Sequence, residues 1–396
     1  MKVCLISIHF FPMKTSCAVL MTDLAREFAT NGHEVTVITP TSDIMKKTSF
    51  NKYEDFSVFK FRSLKIVDIN FIKRAINEFL LPLFFVLAYI KNPINKKHFD
   101  FIIWYSPSIF FSPIVWFLKR KSTSKTYLVL RDIFPEWTLD LGLMKQGLIY
   151  NFFKFCASFQ YKIADTIGIQ SKSNYKIIEK YACEEKIEIL NNWNSEALSN
   201  NTKLDINIDE FVNKKIIIYL GNMGIAQDMN FMIDVAENFY KKNYEEIFLF
   251  VGRGTEVVNL KEKVKNKKIE NVKFFDEIPQ ENVYELLKNC TAGIIALDPR
   301  HTTHNIPGKF ISYLQSSLPV IARINSDSDL EELIKVNNVG IAYNKNNVEE
   351  FALMTKKMIE NNAELKLQQS NAHELYQKKF TTKSAYAQLI RNFEDV

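Results

Sequence analysis

The chain has 396 residues, 47% hydrophobic and 24% charged, with a net charge of +6. That length exceeds what one core usually organises and implies two domains of about 200 residues each, while the ordinary balance of apolar and charged residues excludes a disordered or fibrous chain. Cys4, Cys17, Cys156, Cys183 and Cys290 are odd in number and lack CxxC spacing, which argues for reduced thiols in a cytoplasm and against a disulfide framework, a zinc site or redox chemistry.

In chain order, apolar runs alternate with helical patterns almost throughout, the signature of stacked βα units and parallel sheets. Strands are expected at 3–8, 35–39, 101–104, 126–130 and 166–169, and helices at 19–30, 72–90, 148–161 and 171–181. This reads as a Rossmann-like domain. No GxGxxG follows its first strand, which makes a dinucleotide oxidoreductase a poor fit; the loop there offers Thr15 and Ser16 hydroxyls instead. The N-terminal apolar run is too short for a signal peptide. The run at 79–90 is twelve residues, below the ~20 that span a bilayer. Residues 1–200 carry 26 Lys+Arg against 18 Asp+Glu, and residues 201–396 carry 25 against 27, so the positive charge resides in the first half. Lys73, Arg74, Lys91, Lys96 and Lys97 flank the run at 79–90, and Lys119, Arg120 and Lys121 follow a second apolar run. Two readings stay open for these stretches: aromatic-rich core helices with solvated lysine ends, or helices that touch an anionic membrane surface.

The polar stretch 191–209 is the natural linker. The pattern then restarts, with strands at 216–220, 247–251, 272–275 and 292–296 and a helix at 230–240. Loops beginning at Gly221, Gly252 and Leu297 reach one carboxyl edge, where open parallel sheets bind ligands. Next comes HTTHNIPGKFISYLQSSLPVIA, residues 301–322. Asn305 is a good N-cap, Pro307 fits the first helical turn, and Gly308 lets a ligand approach the backbone. Lys309 in that turn opposes the helix dipole by roughly 0.3–1 kcal/mol, a sign that a bound phosphate would reverse. A capped surface helix with a solvated lysine is the plain alternative. Arg253 and Lys309 could grip a diphosphate from two sides. In the first half, Asp132 and Glu136 stand at and after a strand end, suited to a base or an orienting carboxylate. Equally, Asp132 could cap the next segment and Glu136 could pair with Arg131. His9, beside Phe10 and Phe11, reads as a packed or capping residue.

The order of several stretches resembles family-4 glycosyltransferases of the GT-B fold, in particular the bacterial branch that includes N-acetyl-L-fucosamine transferases of O-antigen and capsule synthesis. The stretches are NGHEVTVITP (31–40), LRDIFPEWTLDLGLM (130–144), ADTIGIQSKS (164–173), LNNW (190–193), YLGNMGIAQDMNFMIDVA (219–236), FVGRG (250–254) and IPGKFISYLQSSLPVIA (306–322). The resemblance implies an α/β, GT-B architecture of two Rossmann-like doubly wound domains facing a central cleft. Residues 1–200 would bind the acceptor, 201–375 the nucleotide sugar, and helices in 376–396 would cross back to the first domain. It implies a retaining, hexosyltransferase-type glycosyltransferase without metal or other cofactor, moving a sugar, N-acetyl-L-fucosamine in that branch, from a UDP-sugar to a polyprenyl-diphosphate-linked saccharide. Its place would be the cytoplasmic face of the membrane, with no nucleic-acid partner. Asp132 and Glu136 are the candidate catalytic residues. The candidate donor-binding residues are Asn222, Gly224, Arg253, Ile278, His304, Asn305, Pro307, Gly308, Lys309 and Ser312. The family's glutamate pair corresponds here to His304 and Ser312, its arginine and lysine fall near Asn222 and Gln227, and Gln315-Ser316-Ser317 stands where small residues ending in glycine are usual. A GT-B-shaped UDP-sugar epimerase and a non-catalytic nucleotide-sugar or membrane-binding scaffold are the alternatives.

Overall fold

The central strands of both halves are apolar enough to be buried on both faces, and the strands form two separate sheets. The structure, a computed structural model, describes residues 1–396 except 44–47, 54, 68, 141, 143, 196–205, 207, 212, 299–305, 326–327 and 395–396 and the side chains of Asp140 and Asp209. The chain divides into two units, Met1–Trp193 with Thr382–Val396, and Asn194–Thr381. The sequence reading drew these boundaries at 200/201 and 375/376.

In the first unit the strands are β1 (Lys2–Ile6), β2 (Glu34–Thr41), β3 (Thr48–Lys52), β4 (Ser57–Arg62), β5 (Phe101–Tyr105), β6 (Lys125–Val129), β7 (Thr166–Ile169) and β8 (Ile187–Ile189), in the order β3-β4-β2-β1-β5-β6-β7-β8. All neighbours run parallel except β3 and β4. The sequence reading had no β3–β4 hairpin, because TSFNK is a polar, half-exposed edge without the alternation that marks a strand. Every residue of β5, FIIWY, is buried, as a central parallel strand requires. The helices are α1 (Ser16–Thr30), α2 (Phe71–Phe79), α3 (Leu81–Tyr89), α4 (Ser112–Ser122), α5 (Glu136–Asp140), α6 (Leu148–Ile163) and α7 (Lys172–Ile178). The single helix expected at 72–90 is two, because Pro82 has no N–H to donate and its ring clashes with the carbonyl four residues back. The chain order reverses between β1 and β5, so the loops after these two strands diverge at the carboxyl edge and leave a crevice.

The second unit repeats the arrangement with β9 (Ile216–Leu220), β10 (Ile247–Val251), β11 (Val272–Phe275), β12 (Ala292–Ala296), β13 (Val320–Arg323) and β14 (Gly340–Tyr343), ordered β11-β10-β9-β12-β13-β14 and all parallel. Its helices are α8 (Met229–Lys241), α9 (Val257–Asn266), α10 (Gln280–Leu287), α11 (Gly308–Gln315), α12 (Asp329–Asn337), α13 (Val348–Glu360) and α14 (Asn362–Lys379). The reversal lies between β9 and β12. The last helix, α15 (Thr382–Glu394), returns to the first unit, where Tyr386 lies 4.9 Å from the Phe28 ring and 2.8 Å from His33 Nε2.

Helix α11 closes with the Ser317 N–H on the Leu314 carbonyl (3.0 Å) and the Leu318 N–H on the Tyr313 carbonyl (2.9 Å), a Schellman turn. Ser317 therefore takes a left-handed φ of 58°, at a cost of roughly 1 kcal/mol for a residue with a Cβ. Replacement Ser317→Gly is expected to stabilise the protein by about 0.5–1 kcal/mol, read as a raised urea midpoint with unchanged m.

Candidate functional site

At the carboxyl edge of the second sheet, the loops after β9 and β10 are locked backbone to backbone. A Cβ on Gly252 would lie 2.1 Å from the Gly221 oxygen, and one on Gly254 would lie 2.2 Å from the Met223 oxygen. Only glycine permits this approach. The loops then hydrogen bond, with the Met223 N–H on the Arg253 carbonyl (2.7 Å) and the Glu256 N–H on the Met223 carbonyl (3.1 Å). Asn222, Gly224 and Gln227 form a closed turn: the Gln227 Oε1 accepts from Asn222 Nδ2 (3.3 Å) and from the Gly224 N–H (3.0 Å). Arg323, buried at the end of β13, donates to Asp228 at the start of α8 (2.5 Å) and lies 3.9 Å from the Phe231 ring centre, which fixes the far end of this loop.

Helix α11 begins at Gly308, with Pro307 as its cap residue and no side chain capping it. This corrects the expected start: Pro307, at ψ 139°, is still extended and stands outside the first turn, so Lys309 is the second helical residue. His304 and Asn305 lie outside the described residues. Lys309 Nζ lies 3.8 Å above the Tyr219 ring and 3.8 Å from the point where a Gly221 Cβ would be. Its side chain keeps a half-exposed surface, yet protein crowds the ammonium, and burial lowers its pKa to about 7. Among the described residues no carboxylate pairs with it. Tyr219 is itself held by its hydroxyl on the Asn222 carbonyl (2.5 Å). Arg253 is exposed and touches Glu277 Oε2 at 3.2 Å, a pairing weak enough in solvent to yield to a better anion. Gly308 faces open space, Ser312 is half-buried one turn along α11, and Ile278 packs into the core under the β11–α10 loop.

At the matching edge of the first sheet, Arg131 is buried, donating to the Leu190 carbonyl (2.5 Å) and the Asn191 carbonyl (3.2 Å) and lying 5.5 Å from the Trp193 ring. The Arg131–Glu136 pair, the alternative reading of these residues, is absent among the described residues. Instead Glu136 accepts from the Tyr181 hydroxyl (2.9 Å), and its other oxygen is buried without a partner. Asp132 reaches solvent, but crowding around its carboxylate raises its pKa, opposed by the Arg131 and Arg74 charges. His9 is lowered by burial and then by Arg74; its Nδ1 lies 3.1 Å from Thr15 Oγ1, the cap of α1. Arg74 thus acts on both groups, and the sequence reading had placed it only among the basic flanks. Ser106 and Ser108, buried after β5 with unpartnered hydroxyls, were also missed; their position after a strand at the order reversal is the signal that could have found them.

For Lys309 the sign of the pH effect follows from its lowered pKa. The unfolded chain holds the proton up to a pKa of 10.5 and the folded chain releases it at about 7. The cost of burying the charge is complete below the folded pKa and fades as pH rises to the unfolded one. Lys309→Met, which keeps the aliphatic length, is expected to melt above wild type at about pH 6 and to lose that advantage near pH 10, as thermal denaturation across this range would show.

Residues 201–375 match the model of the family described as glycosyl transferases group 1. A curated relative, the putative colanic acid biosynthesis glycosyl transferase WcaI of Escherichia coli K12, is 25% identical over 297 residues, 69% of this chain and 71% of the relative. Among solved structures, sucrose-phosphate synthase from Thermosynechococcus elongatus has a TM-score of 0.70 at 13% identity, covering 100% of this chain and 98% of that one. Anabaena HepE in complex with UDP and glucose has a TM-score of 0.66 at 14% identity, covering 100% of each chain. These likenesses give the epimerase alternative no support, and none of them points to the fucosamine branch. The chain has the α/β architecture of these GT-B glycosyltransferase structures, and its residues 201–375 match the glycosyl transferases group 1 model.

Proposed function

We propose that the protein is a retaining glycosyltransferase of bacterial surface-polysaccharide assembly, moving a sugar from a UDP-sugar to a lipid-linked saccharide at the inner face of the cell membrane. The observation that carries this reading is Lys309, a cation crowded at the start of α11 with no carboxylate beside it among the described residues. A diphosphate there would meet the unpaired N–H groups of the helix start and restore the ammonium charge. Arg253 would grip a second oxygen once released from Glu277. In the reaction, the bond from the anomeric carbon to the diphosphate oxygen breaks while a bond to the acceptor oxygen forms. Negative charge grows on the departing UDP, where a fixed cation stabilises it more than it stabilises the intact donor. To Asp132, open to solvent with a raised pKa, we assign the role of orienting the acceptor hydroxyl or taking its proton. Glu136, turned toward Tyr181, would support α5. HepE, described in complex with UDP and glucose, supports the donor class, and WcaI, named as a putative colanic acid biosynthesis glycosyl transferase, supports the polysaccharide context. N-acetyl-L-fucosamine is the first donor sugar to test.

UDP release by the purified protein is expected to require both a UDP-sugar and a polyprenyl-diphosphate-linked acceptor. Lys309→Met is expected to lower kcat/KM by on the order of 10²–10³-fold, the range seen when one charge-stabilising donor is removed. Wild-type kcat/KM and UDP affinity in that variant would refute the donor site.

A further inference from the structure

The first unit leaves a large apolar surface uncovered, and its pattern is regular. Along α2 and α3, Ile72, Ile76, Phe79, Leu83, Leu87 and Ile90 recur every three or four residues and are each more than half exposed. Leu148, Ile149, Phe152 and Phe155 form a second stripe on α6, with Leu148 90% and Phe155 72% exposed. The stripes meet where the Phe79 and Phe152 rings lie 5.8 Å apart, so they are one face. At one end Phe71 lies 6.4 Å from Phe134, which lies 6.2 Å from Trp137. The face therefore begins in the segment just after Asp132, at the carboxyl edge of the first sheet.

Charge identifies what covers it. Residues 141–163 contain Lys145, Lys154 and Lys162 and no acidic residue. Residues 69–98 contain one acid, Glu78, which is buried and bound to Arg74 Nε at 2.7 Å, against five Lys and Arg. A second copy of this chain would bring the same basic rim against itself, and like charges in register oppose association. An apolar band with basic edges and no exposed acid in these two stretches matches an anionic lipid surface. No helix among the described residues is long and apolar enough to cross a membrane, so the fit is to helices lying in the interface.

We propose that the α2–α3 stripe and the first two turns of α6 insert together into the headgroup boundary of an anionic bilayer, and that their apolar side chains carry most of the binding. The lysines that stand out in the sequence contribute less, because several are already engaged. Lys97 is held by Glu34 at 2.9 Å, Lys119 by Asp165 at 2.6 Å, and Lys121 by the Tyr89 hydroxyl at 2.9 Å. This deepens the proposed function and rests on it only for the consequence that a lipid-linked acceptor, held in the same bilayer, would present its head group beside Asp132.

The test is sedimentation of the full-length protein with vesicles of phosphatidylglycerol and phosphatidylethanolamine, and with phosphatidylcholine alone, at about 0.1 and 0.5 M salt. The expected result is binding to the anionic vesicles that survives in part at high salt. The pair Ile72→Ser and Phe155→Ser, both at exposed positions, is expected to reduce the partition coefficient on the order of tenfold or more, with melting temperature and UDP affinity unchanged. Undiminished binding by that variant, or binding abolished by salt alone, would overturn the insertion. So would a dimer in the ultracentrifuge that the variant dissolves, since the face would then be a self-interface. Lost UDP affinity in wild type with vesicle binding intact would instead defeat the glycosyltransferase reading and leave this face standing.

Discussion

A lysine ammonium pressed against a tyrosine ring at the start of a helix is the constraint on which the second unit turns. Lys309 loses solvation without gaining a carboxylate among the described residues, and burial alone moves its pKa to about 7. A protein selected only for stability would place methionine or leucine there, since a cation in the first turn of a helix opposes the dipole as well. The surrounding architecture frames the position proposed for the donor diphosphate. Gly252 and Gly254 allow two strand-end loops to touch, and Tyr219, pinned by its own hydroxyl, floors the lysine. Arg323 and Asp228 anchor the same loop from the far side. Every one of these contacts is internal to the second unit, so a diphosphate bound as proposed would add little ordering cost.

The first unit solves a different problem with the same topology. Its sheet is buried as thoroughly, but three of its helices turn apolar side chains to solvent, next to an edge that carries Asp132, His9 and Arg74. Arg131 does not join that chemistry. It is spent on the carbonyls of Leu190 and Asn191 and on the Trp193 ring, closing the unit at the point where the chain leaves it.

Much of this was legible in the sequence where one physical rule dominated. IIIYL, IFLFV and AGIIA are continuous apolar runs, and they form central parallel strands, while VKFF, broken by Lys273, is the edge strand. Lys309 was visible as a charge of the wrong sign in a helix start. Its neighbour Tyr219 was not, because ninety residues separate them and spacing carries no information about which strand end meets which helix. The same holds for Arg131 and the LNNW stretch, whose quoted residues gain meaning only once the arginine is seen to hold them. The exposed faces of α2, α3 and α6 were ambiguous for a different reason: an apolar helix has one periodicity whether its stripe meets a core or a lipid. The cap of α11 lies two residues later than expected, at Pro307 and not Asn305, since proline serves as well just outside a helix as in its first turn.

The titration of Lys309 itself tests the account most directly. In protein carrying lysine labelled with ¹³C at Cε, the chemical shift of the Lys309 signal, assigned by its loss in Lys309→Met, would be followed with pH in the absence and presence of saturating UDP. The account predicts a midpoint near the low value of about 7 for the free protein, rising by two units or more with UDP, roughly the effect of an opposite charge within a few ångström of a crowded ammonium. A midpoint close to 10.5 in the free protein, or one that UDP leaves in place, would contradict it.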